Sequence, residues 1–271
     1  MKDTRIARDG LVLLGCGKMG SAMLEGWLAR GLPAASVWVQ DPYPSDWVQA
    51  QGINLNTDMP AHPAIVLVAV KPQMMADALP TLRAMGNGKT LFVSVAAGTP
   101  IQFFENTLGA ETPVVRAMPN TPAAISKGIT AIVGNDRAGD DGLAEAETLL
   151  SAVGDVVRLT QEAQIDAVTG VSGSGPAYVF HMMEALADAG AAQGLPRDLA
   201  LQLAKATVAG AGALAMAADE DPSQLRVNVT SPNGTTQAGL DVLMDTKTGL
   251  APLIARTVAA AADRSRELSH G

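Results

Sequence analysis

One cysteine, Cys16, and three histidines, His62, His181 and His270, occur in 271 residues. A single cysteine excludes an intramolecular disulfide and a cysteine-based metal site, and it suits a reducing, cytoplasmic compartment. The histidines are far apart, and none falls in a ligand spacing such as His-Glu-x-x-His, so no metal is expected. No Ser-His-Asp arrangement can be assembled from them, and covalent catalysis is not expected. Cations are scarce as well, with 19 Lys and Arg against 27 Asp and Glu and a net charge of −8. Nucleic acid is therefore not an expected partner, because phosphate neutralisation needs clustered Lys and Arg. Any anionic ligand must be held by local groups. Long uncharged runs are also missing: the Ala- and Gly-rich run Ala206 to Ala218 falls short of the roughly 20 residues a membrane span needs. No span is expected. The first ten residues carry mixed charges and no apolar core, unlike a secretory signal.

What is present is enough apolar residue, 48%, for a substantial core in about two domains. The first part alternates short β-branched runs with helical patterns: Leu11 to Leu14, a helix near Lys18 to Arg30, Val37 to Val39 and Ile65 to Val70. Further strands are expected at Leu91 to Val95, Val114 to Ala117, Ile129 to Val133 and Asp155 to Leu159, with a helix near Gly142 to Ser151. This alternation is the pattern of a parallel sheet with crossover helices. From Gln164 onward the pattern is helical only: Pro176 to Ala192, Pro196 to Ala218, Thr235 to Met244 and Leu250 to Leu268. The fold class is α/β, a Rossmann-like domain over residues 1–160 followed by an all-α domain over 161–271. Ala200 to Ala218 has few polar residues on any side, unlike a helix packed on one face. A second copy across a two-fold axis is expected to cover part of it, the alternative being a well-wrapped monomeric bundle.

Gly15-Cys16-Gly17-Lys18-Met19-Gly20 follows the first strand and opens a helix. In that context the glycines permit a tight turn and close approach of backbone to a pyrophosphate at the helix N-terminus. Asp41, about 20 residues further on at the end of the second strand, is placed to accept from a ribose 2′-hydroxyl, which leans toward NAD. It also reads as the start of an Asp-Pro turn. Ala69-Val70-Lys71-Pro72 and Val95-Ala96-Ala97-Gly98 follow the next two strands, at the carboxyl ends where open α/β sheets bind ligands. Lys71 meets a phosphate or a carbonyl there, or is a solvated loop lysine. Met118-Pro119-Asn120-Thr121-Pro122 reads as a stiff loop, and Val171 to Pro176 as a helix start with two candidate capping serines. Tyr178 and His181 on that helix read as packing residues. Cys16 has no partner that would activate it.

Val229-Thr230-Ser231-Pro232-Asn233-Gly234-Thr235-Thr236 is a cluster of hydroxyl residues and a turn running into a helix. Its backbone N–H groups and the helix N-terminus bind a carboxylate without any lysine.

Together, the Gly15 motif, Ala69 to Pro72, Met118 to Pro122, Gly170 to Tyr178 and Val229 to Thr236 resemble the pyrroline-5-carboxylate reductase family, in the same order, from about Leu11 to Leu268. The family's Ser-Pro-Gly-Gly-x-Thr pattern is met with one departure, Asn233 in place of glycine, and asparagine tolerates left-handed backbone. The resemblance implies reduction of the C=N bond of L-1-pyrroline-5-carboxylate to L-proline with NADPH or NADH. It implies that Gly15 to Gly20 hold the pyrophosphate and that Asn56, Ala69 to Pro72 and Val95 to Ala97 line the cofactor. Thr236 is implied to face the ring nitrogen as the catalytic hydroxyl, with Ser231 and the N–H groups of Gly234 and Thr235 on the carboxylate. It implies a homodimer, often assembled into a larger ring. Three rivals remain: a reductase of a related cyclic imine, a β-hydroxyacid dehydrogenase and a non-catalytic cofactor-binding regulator. The dehydrogenase needs a lysine that Ala177 to His181 does not offer.

Overall fold

The computed structural model describes residues 4–270. Its chain divides into two compact units: one runs through Gly173 and regains the stretch from Ala261, and the other spans Ser174–Ala260. The division falls beyond the end of the last strand because Ile165, in the helix that follows it, is buried in the first unit's core.

In the first unit α1 (Arg5–Asp9), β1 (Leu11–Leu14), α2 (Lys18–Ala29), β2 (Val37–Gln40), α3 (Asp46–Gln49), β3 (Asn54–Leu55) and β4 (Ile65–Val68) come first. Then follow α4 (Met75–Ala78), β5 (Leu91–Ser94), α5 (Ile101–Leu108), β6 (Val114–Met118), β7 (Gly128–Gly134), α6 (Gly139–Leu150), β8 (Gly154–Arg158) and α7 (Gln164–Val168). The eight strands form one sheet in the order β3-β2-β1-β4-β5-β6-β7-β8. β1 and β4 are both buried throughout, as the uninterrupted apolar runs require of strands covered on two faces. Residues of alternate parity enter two clusters on opposite faces of the sheet: Leu11, Leu13, Trp27 and Leu67 in one, Val12, Val66, Phe92 and Phe104 in the other. The Trp27 indole N–H, fully buried, donates to the Leu149 carbonyl at 2.9 Å.

The sheet departs from the all-parallel expectation at β7, which runs antiparallel to β6, with β8 parallel to β7. The link from Met118 to Gly128 is shorter than the dozen or more residues a parallel crossover needs, so the chain returns in the opposite sense. α5, which buries Ile101, Phe104 and Leu108, is an element the sequence reading lacks.

The second unit holds α8 (Gly175–Ala192), α9 (Arg197–Ala217), α10 (Pro222–Asn228), α11 (Thr235–Leu243) and the first part of α12 (Leu250–His270). α8 meets α9 through small residues: Ala187, Ala200 and Ala204 are buried, and a Cβ added at Gly190 would stand 3.3 Å from that of Ala200. Their other faces expose Phe180, Leu203, Leu214 and Met216. Among the described residues α9 is long and apolar enough, by length and composition alone, to cross a membrane. The sequence reading missed this because it counted only the run after Lys205.

Candidate active site

The first unit brings the predicted cofactor residues together at the carboxyl ends of β1, β2, β4 and β5. β1 lies between β2 and β4, so the loop after it sits where the strand order reverses, the usual ligand crevice of such sheets. Each glycine of the loop has a separate physical reason. Gly15 has φ +84°, and a Cβ there would come within 2.9 Å of Val70 Cγ1 and 3.0 Å of the Val70 nitrogen, which packs this loop against Ala69-Val70. A Cβ on Gly20 would stand 2.7 Å from the Gly15 carbonyl oxygen, so only glycine lets α2 start against the turn. Gly17, the N-cap of α2, makes no side-chain cap and has nothing within 4 Å of an added Cβ. That open space, beside first-turn N–H groups without intrahelical partners, fits the pyrophosphate of a dinucleotide. Lys18 is exposed and Met19 half-buried. Cys16 is buried, and burial pushes its thiol up from the ordinary cysteine value; the Asp41 charge acts the same way and the Ser21 hydroxyl opposes it. A protonated, covered thiol is a packing group, not a nucleophile.

Asp41 has both carboxylate oxygens engaged. One accepts from the Cys16 N–H at 2.6 Å and the other from the Tyr43 N–H at 2.7 Å. Asn56, with φ +52°, turns its amide back on Asp41: its Oδ1 accepts from the Asp41 N–H at 2.9 Å and its Nδ2 donates to the Asp41 carbonyl at 2.8 Å. Lys71 and Pro72 are exposed after β4. Val95 donates its N–H to Val68, Ala96 donates its own to the Ser94 hydroxyl, and Ala97 is exposed.

In the second unit, residues 231–234 form a tight turn closed by the Gly234 N–H on the Ser231 carbonyl at 3.0 Å. Pro232 and Asn233 are its central residues, and Asn233 has φ +58°, the left-handed conformation that a type II turn requires at its third position. The departure from glycine is thus accommodated. Because the Gly234 N–H closes this turn, it is not a free donor for a carboxylate, contrary to the role the resemblance gave it. Gly234 is instead the N-cap of α11 without a side-chain cap, and a Cβ there would press on the Ser231 carbonyl at 3.0 Å. Ser231, Thr235 and Thr236 are exposed, the last two in the first turn of α11, whose N–H groups lack intrahelical acceptors.

Other singled-out residues are structural. The Asn120 side chain accepts from the Ile129 N–H at 3.0 Å and starts β7. Neither Ser172 nor Ser174 caps α8: Ser172 donates to the Val168 carbonyl within a π-helical turn over Thr169–Gly173, and Ser174 makes no cap bond. His181 is exposed, 3.2 Å from Glu184. Sequence reasoning missed Arg116 and Glu162. A single Glu162 oxygen accepts from Arg116 Nη1 at 2.8 Å and from the Ile101 N–H at 2.9 Å, capping α5 just after the Val95 to Gly98 loop. The one signal was an arginine inside the apolar run of β6, which a buried position requires to be paired.

Comparison with known proteins agrees with this layout. The family model for pyrroline-5-carboxylate reductase dimerisation matches residues 162–268, and that for NADP oxidoreductase, coenzyme F420-dependent, matches residues 11–98. The curated pyrroline-5-carboxylate reductase of Pseudomonas aeruginosa is 38% identical over 96% of this chain and 96% of its own length. The solved pyrroline-5-carboxylate reductase of Coxiella burnetii superposes with a TM-score of 0.91 at 32% identity, covering 96% of this chain and 98% of that one. The Plasmodium falciparum pyrroline carboxylate reductase, solved with NADP bound, superposes at 0.84 with 26% identity, covering 97% and 99%. At 38% identity over nearly the whole of both chains, the chain belongs to the pyrroline-5-carboxylate reductase family.

Proposed function

We propose that the chain reduces the C=N bond of L-1-pyrroline-5-carboxylate to L-proline, the last step of proline biosynthesis, with the hydroxyl of Thr236 at the reacting centre. The observation that carries this reading is the turn at residues 231–234: left-handed Asn233 delivers the chain into α11 with Ser231, Thr235 and Thr236 exposed. In the first unit, Gly15 to Gly20 receive the pyrophosphate, and Ala69 to Pro72 and Val95 to Ala97 line the rest of the dinucleotide. When bound, the reduced dinucleotide supplies the hydride. The second unit holds the imino acid. Ser231 Oγ and the Thr235 N–H take its carboxylate, aided by the positive end of α11. The Thr236 hydroxyl oxygen accepts a hydrogen bond from the N–H of the protonated ring nitrogen and fixes the orientation of the C=N bond. No protein acid is needed, because a cyclic imine is basic enough to be protonated by solvent. The exposed apolar faces of α8 and α9, within the matched dimerisation region, support a homodimer; assembly of dimers into a ring is the finer reading, which sedimentation tests. The reducing cytoplasm suits the one buried cysteine.

The decisive assay follows oxidation of NADPH and NADH with pyrroline-5-carboxylate and, in parallel, with its six-membered homologue. Turnover of the five-membered ring alone fixes the substrate, whereas preference for the homologue replaces this reading with that of a related cyclic imine reductase. Thr236→Ala is expected to lower kcat about 100-fold or more with dinucleotide affinity unchanged. Equal loss of both removes Thr236 from the reacting centre.

A further inference from the structure

We propose that this chain takes NADH in preference to NADPH, that Asp41 makes the choice, and that Asn56 is the positioning residue that holds Asp41 to it. The inference rests on the dinucleotide-loop reading of Gly15 to Gly20.

The Asp41 carboxylate is tied to that loop by the Cys16 N–H at 2.6 Å and to its own turn by the Tyr43 N–H at 2.7 Å. Both bonds fix the carboxylate at the end of β2, where Rossmann-type sheets recognise the adenosine ribose. Each carboxylate oxygen has a second acceptor lobe, so Asp41 can still accept from a ribose hydroxyl. A 2′-phosphate offers no such proton and brings a charge of about −1.5 to −2 against the carboxylate. Accommodating it calls for a nearby cation: the exposed Lys18 of the loop lies at the helix start that receives the pyrophosphate, and between Arg30 and Lys71 the sequence supplies none. That stretch contains β2, α3, β3 and β4, together with Asp46 and Asp58. The edge of the sheet built from β2 and β3 is thus acidic and without fixed positive charge.

Asn56 reaches the cofactor through Asp41. Its backbone N–H donates to the Val39 carbonyl at 2.8 Å, and its amide group bonds both backbone polar groups of Asp41, at 2.9 and 2.8 Å. Asn56 therefore continues the pairing of β3 with β2 by one step, using a side chain as backbone, and sets where the Asp41 side chain leaves the sheet. The resemblance made it a lining residue; these bonds make it a support.

Binding without turnover tests this directly. Trp27, Trp38 and Trp47 all lie in the first unit, so fluorescence of the full-length protein is titrated with NADH and with NADPH in the absence of imine. The wild type is expected to bind NADH at least about tenfold more tightly, and Asp41→Ser to bring the two within about threefold. Asp41→Asn, which keeps an acceptor for the Cys16 N–H, repeats the test if the serine variant does not fold. Asn56→Gly keeps the left-handed backbone and removes the clamp; it is expected to weaken NADH while NADPH stays unchanged. Equal or tighter wild-type binding of NADPH, or an unchanged ratio in both Asp41 variants, overturns the proposal. Equal loss of the two dinucleotides in Asn56→Gly overturns the positioning role. Binding of neither overturns the dinucleotide-loop reading itself and this proposal with it.

Discussion

The two units bury their apolar residues in different ways. The first fills both faces of its sheet with Leu, Val, Ile, Phe and Trp from its own chain. In the second, the buried apolar cluster is three alanines, while Leu214, Met216, Val242 and Leu243 stay more than half exposed. Alanine buries little area and these larger side chains leave half or more of theirs exposed, so the second unit gains little from burial at roughly 25 cal/mol per Å². A helical unit this apolar outside and this small inside has little core of its own, which is what the second copy proposed above would complete. The lesson is that where large side chains sit, rather than how many helices surround them, tells which unit stands alone.

Four measurements break or sharpen that contrast. Trp27→Ala, which leaves a cavity and an orphaned Leu149 carbonyl in the self-contained unit, is expected to cost about 3–5 kcal/mol. Its loss in Tm should be the same at all protein concentrations. Met216→Asp alters a residue 79% exposed in the single chain; if a second copy covers it, the dimer weakens by about 1.5–3 kcal/mol per side chain. Sedimentation would then show dissociation on dilution, and an unaltered dimer would mean that this part of the second unit faces water. Asn233→Ala is expected to cost about 1 kcal/mol through its left-handed backbone, whereas Asn233→Gly costs nothing. Calorimetry of the pair separates the backbone from the side chain. Smallest is the response of Cys16: because burial raises its pKa, alkylation at pH 8 should be far slower in the folded protein than in denaturant, as read by mass spectrometry.

Much of the first unit was legible because its signals are local. Leu11 to Leu14 is an unbroken apolar strand, and Gly15 to Gly20 encodes its own turn. The reversal at β7 was not legible, since strand direction follows from a pairing partner that no local pattern names. β3 and α3 are too short, at two and four residues, to have a period, and α10 buries nothing that would give it one. At the candidate site the turn residues and Asn233 were readable from conformational preference alone. The uses of single N–H groups were not: that of Gly234 closes a turn, and the amide of Asn56 serves Asp41, facts fixed by three-dimensional neighbours. Glu162 and Arg116 show the same limit, because 46 residues separate the partners.

The end of α12 belongs to the first unit. Ser265 donates to Asp166 at 2.6 Å, and the backbone of Leu268 lies so close to Gly98, itself at φ +70°, that a Cβ there would sit 3.1 Å from it. During synthesis the loop after β5 emerges early and its last neighbour emerges late. The cofactor-binding unit is therefore incomplete on the ribosome until residue 268 has cleared the exit tunnel.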